Sequence, residues 1–158
     1  MARATGASLV GVDLSGVAVG QAPRRIKEFG VEGRARFEVG DLSALRFADC
    51  TFDAAMSVDV LWMVPDTLAA LREVARVVRP GARFVFANWD RDLSPPGWPP
   101  PVKDHRPLLG ETGFVIAAGF VAEISNEHTL LPGSVRVRPG SCPACPAASY
   151  GSRWHSAP

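Results

Sequence analysis

Three short strand-like runs of this chain each lead into an aspartate, and this pattern constrains the fold more than any other feature. The runs are 8–12, 36–39 and 52–58, and the aspartates are Asp13, Asp41 and Asp59. Helix signals lie between the runs. Alternating strands and helices with mostly apolar strands indicate a mostly parallel sheet that helices cover on both faces. Such sheets bind ligands at the carboxyl ends of their strands, which is where the aspartates are expected.

Two segments carry helix signals, and the second is the clearer because Gly20 and Pro23 weaken the middle of the first. Ser15 is placed to cap a helix that runs towards Phe29 and stops at Gly30. A second helix starts at Asp66 and is stopped by the turn 80–81. Its apolar face comprises Leu68, Leu71, Val74 and Val78. The later elements are a strand over 83–87, a short helix over 105–112 that ends at Gly113, and a strand over 115–124. The predicted fold class is therefore α/β.

Composition and charge exclude several classes of partner. The formal net charge is +1, so nothing favours nucleic acid or an anionic membrane surface. No apolar run approaches the roughly 20 residues that a membrane span needs, and no secretory signal is visible. Three cysteines make no disulfide framework, which favours a reducing, cytoplasmic location.

The composition changes after Glu127, the last acidic residue. We expect a partial globular domain over 1–127 and a low-complexity, disordered tail over 128–158, unless a frameshift has replaced the native end. A proline-rich loop or lid is expected over 90–101. Cys142 and Cys145 form a CxxC, but no second pair at ligand spacing accompanies them and His155, so no metal site is predicted. Cys50 is interpreted as a buried or loop thiol.

Four stretches together resemble a known family. They are VGVDLS, F-x-V-GDL, FDAAMSVDVLW and LREVARVVRPGARFVF. In this order and spacing they look like a class I S-adenosylmethionine-dependent methyltransferase of the branch that acts on small molecules. The likeness covers 4–88 well and extends more loosely to residue 124. It implies a Rossmann-like sheet, S-adenosylmethionine as the cofactor and a small-molecule methyl acceptor.

The resemblance assigns the adenosine part of the cofactor to the ends of the first two runs. Asp13 would accept both ribose hydroxyls, and Asp41 would accept from the adenine amino group. Leu14 and Leu42 would lie against the adenine faces, and Gly40 would let the backbone approach closely. The alternative for both aspartates is that each only caps the helix or turn that follows it.

The end of the third run would hold the methionine part of the cofactor and meet the substrate. The resemblance assigns this role to Ser57, Val58 and Asp59, with Trp62 as a wall that also offers a π-face to the sulfonium. Asp59 alternatively caps a turn, and Trp62 alternatively serves packing. A catalytic base is needed only if the acceptor loses a proton, and the candidates are Asp59 and His105.

Family members carry a first strand and a glycine-rich loop ahead of the run at 8–12. Here Met1–Ala4 matches only the end of the helix after that loop. The predicted sheet thus lacks that strand and loop, and we expect weak cofactor binding or none. The strands that end at Asp13 and Asp59 should then either keep an unpaired edge or pair with each other.

Two other functions stay open at this point. One is a non-catalytic fragment or binding module. The other is an NAD(P)-binding oxidoreductase, which shares the acid after the second strand but lacks the GDL and FD pattern. The residues do not identify the methyl acceptor, the atom that is methylated or the oligomeric state.

Overall fold

The computed structural model describes residues 2–88, 96–97, 100, 102, 104–119, 122–124, 128–130 and 133–137. The chain divides into two compact units, Met1–Arg46 and Phe47–Pro158, and each is treated by itself. No helix among the described residues combines the length and apolar character that crossing a bilayer requires.

The first unit is a parallel strand pair with a helix between its strands. Its elements are α1 (Ala2–Thr5), β1 (Leu9–Asp13), α2 (Gly16–Glu28) and β2 (Ala35–Val39). The ladder runs from Leu9 opposite Ala35 to Asp13 opposite Val39. Among the described strands β1 pairs with β2 alone, so its other edge is unpaired, as one of the two expectations had it.

The helix predicted from Ser15 to Phe29 is confirmed. Ser15 Oγ accepts a hydrogen bond from the Ala18 amide at 3.2 Å, which satisfies one of the free amides of the first turn of α2. Phe29 is the C-cap, and Gly30 follows with a φ of 63°. A glycine takes that left-handed conformation without steric cost, so the chain can turn back towards β2.

The second unit contains a four-stranded sheet and two α-helices. Its elements are β3 (Phe52–Val58), a 3₁₀ helix (Leu61–Met63), α3 (Thr67–Val77), β4 (Val78–Ala87), α4 (Arg106–Glu111), β5 (Phe114–Gly119), β6 (Ala122–Ile124), β7 (His128–Leu130) and β8 (Gly133–Val137). The strand order is β3-β4-β8-β5, and β6 pairs with β7 separately. Strands β3 and β4 are parallel, whereas β8 is antiparallel to both of its neighbours. Strand β3 therefore lies at an edge of this sheet.

The junction of α3 and β4 differs from the prediction. Asp66 caps α3 as expected, with Oδ1 accepting from the Ala69 amide at 2.9 Å. The helix ends at Val77, and β4 starts directly at Val78, which pairs with Phe52. The predicted turn at 80–81 is instead part of β4, where the register shifts and Gly81 has a φ of 81°. The β-branched Val78 is fully buried, which favours its place in the strand.

The core of the second unit lies between the sheet and the two helices. Its most buried side chains are Leu61, Leu71, Val78 and Phe84. The Phe84 ring also packs on Phe114 of β5, with the ring centroids 5.6 Å apart. The short helix predicted over 105–112 is confirmed as α4, and Gly113 follows it with a φ of 83°.

Two strands lie within the segment from residue 128 for which the sequence predicts a disordered tail. Strands β7 and β8 form there, and β8 lies between β4 and β5 in the sheet. The sequence SVRV over 134–137 alternates polar and apolar residues, which is a strand signal that the surrounding Pro, Gly and Ser obscured. Residues 138–158, which include the CxxC, lie outside the described residues, as does most of the proline-rich loop. Cys50 is disulfide-bonded and is not the free thiol that the sequence suggested.

Candidate functional site

Asp13 is the last residue of β1, and its carboxylate organises the start of α2. Asp13 Oδ1 accepts a hydrogen bond from the Ser15 amide at 2.8 Å. The side chain is exposed, and within the described part of the chain Oδ2 has no hydrogen-bond partner. The capping role is therefore present, and one carboxylate oxygen stays available for a ligand hydroxyl.

The end of β2 has the same construction. The Gly40 amide donates to the Asp13 carbonyl at 3.0 Å, and Asp41 Oδ1 accepts from the Ser43 amide at 2.8 Å. A Cβ at Gly40 would lie 2.9 Å from Val12 Cγ1, so a side chain there would collide with β1. Because β1 and β2 are parallel, both aspartates follow the carboxyl ends of one ladder.

The two leucines predicted to contact adenine differ in exposure. Leu14 is 70% exposed, whereas Leu42 is half-buried. The first unit thus has acceptors and an apolar surface at the ends of its strands, which are the features that the predicted adenosine site requires.

In the second unit β3 ends in an unusual backbone conformation. Asp59 has a φ of 59°, and its amide donates to the Ala87 carbonyl of β4 at 2.7 Å. The Asp59 carbonyl in turn accepts from Trp62 Nε1 at 3.1 Å. The indole is half-buried and fixed to the end of the strand, so the packing role of Trp62 is present. Val58, in contrast, is exposed.

At the carboxyl ends of β3 and β4, two buried polar atoms have no hydrogen-bond partner among the residues that the structure describes. They are Ser57 Oγ and Asn88 Oδ1. Ser57 is 8% exposed and Asn88 is 5% exposed. Buried polar atoms are nearly always paired, because an unpaired one costs about 1–3 kcal/mol. Their place at strand ends, where α/β sheets bind ligands, points to a ligand group as the missing partner.

The sequence analysis missed Asn88, which pairs with His105. Asn88 Nδ2 lies 3.3 Å from His105 Nε2, and the imidazole packs 5.5 Å from the Phe86 ring. Burial lowers the pKa of His105, although the nearby carboxylate of Asp104 opposes this shift. The sequence does contain a pattern that could have indicated this residue, because Asn88 directly follows a strand as Asp59 does.

Among the described residues no group of three or more His, Cys, Asp or Glu side chains is placed to hold a metal ion. Acids at the carboxyl ends of parallel strands, each starting a helix or turn, define a ligand-binding α/β domain of the nucleotide-binding kind. The methyltransferase domain family matches residues 1–86, and the chain belongs to that family. The resemblance inferred from the sequence is thereby confirmed.

The curated relatives are small-molecule methyltransferases. The methyltransferase GfsG of Streptomyces halstedii is 35% identical over 88 residues, which are 56% of this chain and 32% of the relative. The 2-methyl-6-phytyl-1,4-hydroquinone methyltransferase of Synechocystis is 35% identical over 120 residues, which are 72% of this chain and 37% of the relative. The chain thus spans about a third of the length of these relatives.

Solved structures confirm the Rossmann-like α/β fold. The [4+2]-cyclase SpnF superposes with a TM-score of 0.76 at 18% identity, covering 87% of this chain and 68% of the other. A SAM-dependent methyltransferase from Methanosarcina mazei gives 0.72 at 21% identity, covering 86% and 84%. A geranyl diphosphate methyltransferase in complex with SAM gives 0.72 at 14% identity, covering 85% and 65%. A cyclase and methyltransferases share this fold, so the fold alone does not fix the reaction.

Proposed function

We propose that this chain binds S-adenosylmethionine and belongs to an enzyme that methylates a small molecule. The family membership supports this, and the observation that carries it is the exposed Asp13 carboxylate at the end of β1 with one oxygen unpaired. When bound, the cofactor supplies a methyl group already activated on a sulfonium. The family match favours this function over the NAD(P)-binding oxidoreductase.

In the proposed site the first unit recognises adenosine. Asp13 Oδ2 accepts from the ribose hydroxyls while Oδ1 keeps its bond to the Ser15 amide. Asp41 accepts from the adenine amino group, and the exposed Leu14 and the half-buried Leu42 cover the base. Gly40 is needed for the close packing on Val12. Hydrogen bonds to a charged carboxylate each contribute about 1.5–3 kcal/mol, so Asp13 should dominate the affinity.

In the second unit Ser57, Val58, Asp59 and Trp62 are proposed to meet the methionine part of the cofactor. Methyl transfer from a sulfonium depends mainly on holding the acceptor atom in line with the methyl group. Asp59 and His105 remain the candidate bases for an acceptor that must lose a proton. Nε2 of His105 lies 3.3 Å from the Asn88 amide, so His105 would have to give up that contact to take a proton on Nε2.

Saturation-transfer NMR with S-adenosylhomocysteine tests the proposal, and it detects the weak complexes that the sequence analysis expects. We expect transfer to the ribose and adenine protons. Asp13→Asn should lower the affinity by about tenfold or more, equivalent to ~1.4 kcal/mol. Asp53→Asn is the matched control, because Asp53 pairs with Arg79 and faces solvent. An absent transfer signal, or an unchanged affinity in Asp13→Asn, would show that the first unit does not recognise adenosine.

A further inference from the structure

Within the described part of the chain the Asn88 amide nitrogen has a hydrogen-bond partner and its amide oxygen has none. Its Nδ2 lies 3.3 Å from His105 Nε2, and in the imidazole tautomer that carries its proton on Nδ1 the amide donates and Nε2 accepts. Its Oδ1 is buried. In that tautomer the bond to His105 engages the amide nitrogen, so the oxygen is the group left to accept a hydrogen bond from a ligand.

The second unpaired atom lies on the neighbouring strand. Ser57 pairs with Phe86 in the parallel ladder of β3 and β4, and Asn88 is two residues beyond Phe86. Side chains at positions two apart share a face of a sheet, and Phe86 packs against the same His105 that Asn88 contacts. Strand spacing and rise place the Cα atoms of Ser57 and Asn88 about 8 Å apart. One small molecule is large enough to reach both unpaired oxygens.

The hydrogen-bonding properties and charges of these side chains favour some ligand groups over others. Asn88 Oδ1 is only an acceptor, and a serine hydroxyl both donates and accepts. The charged groups next to His105 are Asp104 and Arg106, and they already form an ion pair with each other at 2.8 Å. Burial also lowers the pKa of His105, which disfavours the charged imidazole. A ligand carboxylate or phosphate would therefore meet an acceptor oxygen and no free charge among these groups.

We propose that Asn88, oriented by His105, binds a hydrogen-bond-donating group of the methyl acceptor, either a hydroxyl or an amine. This inference rests on the proposed function, because it assigns the acceptor side of the same reaction. Asn88 Oδ1 accepts a hydrogen bond from that group, and Ser57 Oγ, which is also proposed to meet the methionine part of the cofactor, supplies a second contact. Acceptors that present only a carboxylate or phosphate at this point are excluded by the unpaired carbonyl oxygen.

The side-chain amides give a direct readout of this site. The chain has two asparagines, Asn88 and Asn126, and a single glutamine, Gln21, so its ¹⁵N spectrum carries three side-chain NH₂ pairs. Phenol and aniline serve as donor probes, toluene as the apolar probe and benzoate as the anionic probe. Asn126→Asp assigns the resonances. We expect phenol or aniline to shift the Asn88 pair and to bind about tenfold more tightly than toluene, since one such hydrogen bond is worth ~1.4 kcal/mol.

A variant separates recognition from a structural role. Asn88→Leu should lose the preference for phenol or aniline over toluene, yet keep an unfolding midpoint near that of the parent, because removal of the buried unpaired oxygen offsets the loss of the bond to His105. If Asn88→Leu does not fold, the shifts of the Asn88 side-chain NH₂ resonances in the unmodified chain still show whether the donor probes bind at Asn88. Equal binding of toluene, tighter binding of benzoate, or no shift of the Asn88 pair would overturn the proposal.

S-adenosylhomocysteine in the same samples keeps the two proposals distinct. If it binds while neither donor probe shifts Asn88, only the acceptor site fails. If the donor probes shift Asn88 while S-adenosylhomocysteine does not bind, the cofactor proposal fails and the acceptor site stands. If S-adenosylhomocysteine itself displaces phenol from Asn88, the site belongs to the cofactor and the inference is overturned.

Discussion

Arg76 Nη1 lies 2.7 Å from Asp49 Oδ1 and ties the segment that precedes β3 to α3. The same nitrogen donates to the Phe47 carbonyl at 2.7 Å, and the remaining guanidinium nitrogens bind both carboxylate oxygens of Glu73. The hydrogen bonds to Glu73 and Asp49 raise the pKa of Arg76, so the guanidinium stays charged at any pH at which the protein folds.

Removing the hydrogen bonds and ion pairs of Arg76 should lower the free energy of unfolding more than removing a single surface ion pair. Arg76 is 31% exposed, whereas Arg72, which pairs with Glu111, is 59% exposed. We expect Arg76→Ala to lower the free energy of unfolding by about 1–2 kcal/mol and Arg72→Ala by less than about 0.5 kcal/mol. Urea denaturation followed by circular dichroism measures both. Equal losses in the two variants would show that the network adds nothing beyond a surface ion pair.

A pair of glycines in the first unit should respond in opposite directions to alanine. A Cβ at Gly11 would lie 2.3 Å from the Phe37 ring, whereas nothing lies within 4 Å of one at Gly20 in α2. Gly11→Ala should therefore destabilise by about 1–2 kcal/mol, and Gly20→Ala should stabilise by about 0.5–1 kcal/mol. Thermal unfolding compares them. The loss of stability caused by Gly11→Ala should be smaller when Phe37 is also changed to Val, because the ring is then absent. If the effects of the two substitutions simply add, the alanine does not collide with Phe37.

The left-handed backbone at Asp59 predicts an order of stability among three variants. Glycine adopts a φ of 59° freely and asparagine tolerates it, but alanine is disfavoured by about 1 kcal/mol. Asp59→Ala should thus unfold at lower urea concentration than Asp59→Gly or Asp59→Asn. All three lose the carboxylate, so the comparison isolates the backbone. If Asp59→Ala and Asp59→Gly unfold at the same urea concentration, the left-handed backbone at this position is not strained.

Protonation of His105 should make the folded state less stable in mild acid. Burial lowers the pKa of His105 in the folded protein below the usual value of about 6.5, so the unfolded chain takes up a proton first as the pH falls. Above that pH both states are neutral and His105 has no effect. Below it, the free energy of unfolding falls until the folded-state pKa is reached. His105→Gln should flatten this part of the curve of unfolding midpoint against pH.

Local signals predicted the elements and the strand-end acids well. Ser15 and Asp66 cap their helices as expected, because a cap needs only a side chain and an amide three residues away. The aspartates at 13 and 41 likewise bond to amides two residues ahead. Such interactions are encoded within a few residues, so a sequence pattern contains all the information that they require.

Contacts between distant segments were not predictable in this way. Asn88 and His105 are 17 residues apart, with the proline-rich stretch between them, and no periodicity connects them. The place of β8 between β4 and β5 depends on strand pairing across more than 40 residues of sequence. The roles of the cofactor-site residues remain predictions, since the structure shows where these side chains lie and the binding experiments decide what they hold.

The two units differ in how much apolar surface they bury, and this difference sets which backbone amides exchange with solvent first. Among the described residues of the first unit only Ala22 and Val31 are buried apolar side chains, whereas the second unit has Leu71, Val78 and Phe84 at 1% exposure or less. Amide protons of β1 and β2 should therefore exchange through low-energy openings that leave β4 protected. An adenosine ligand would then slow exchange most in the segment that carries Asp13, so deuterium uptake gives a map of binding that needs no methyl acceptor.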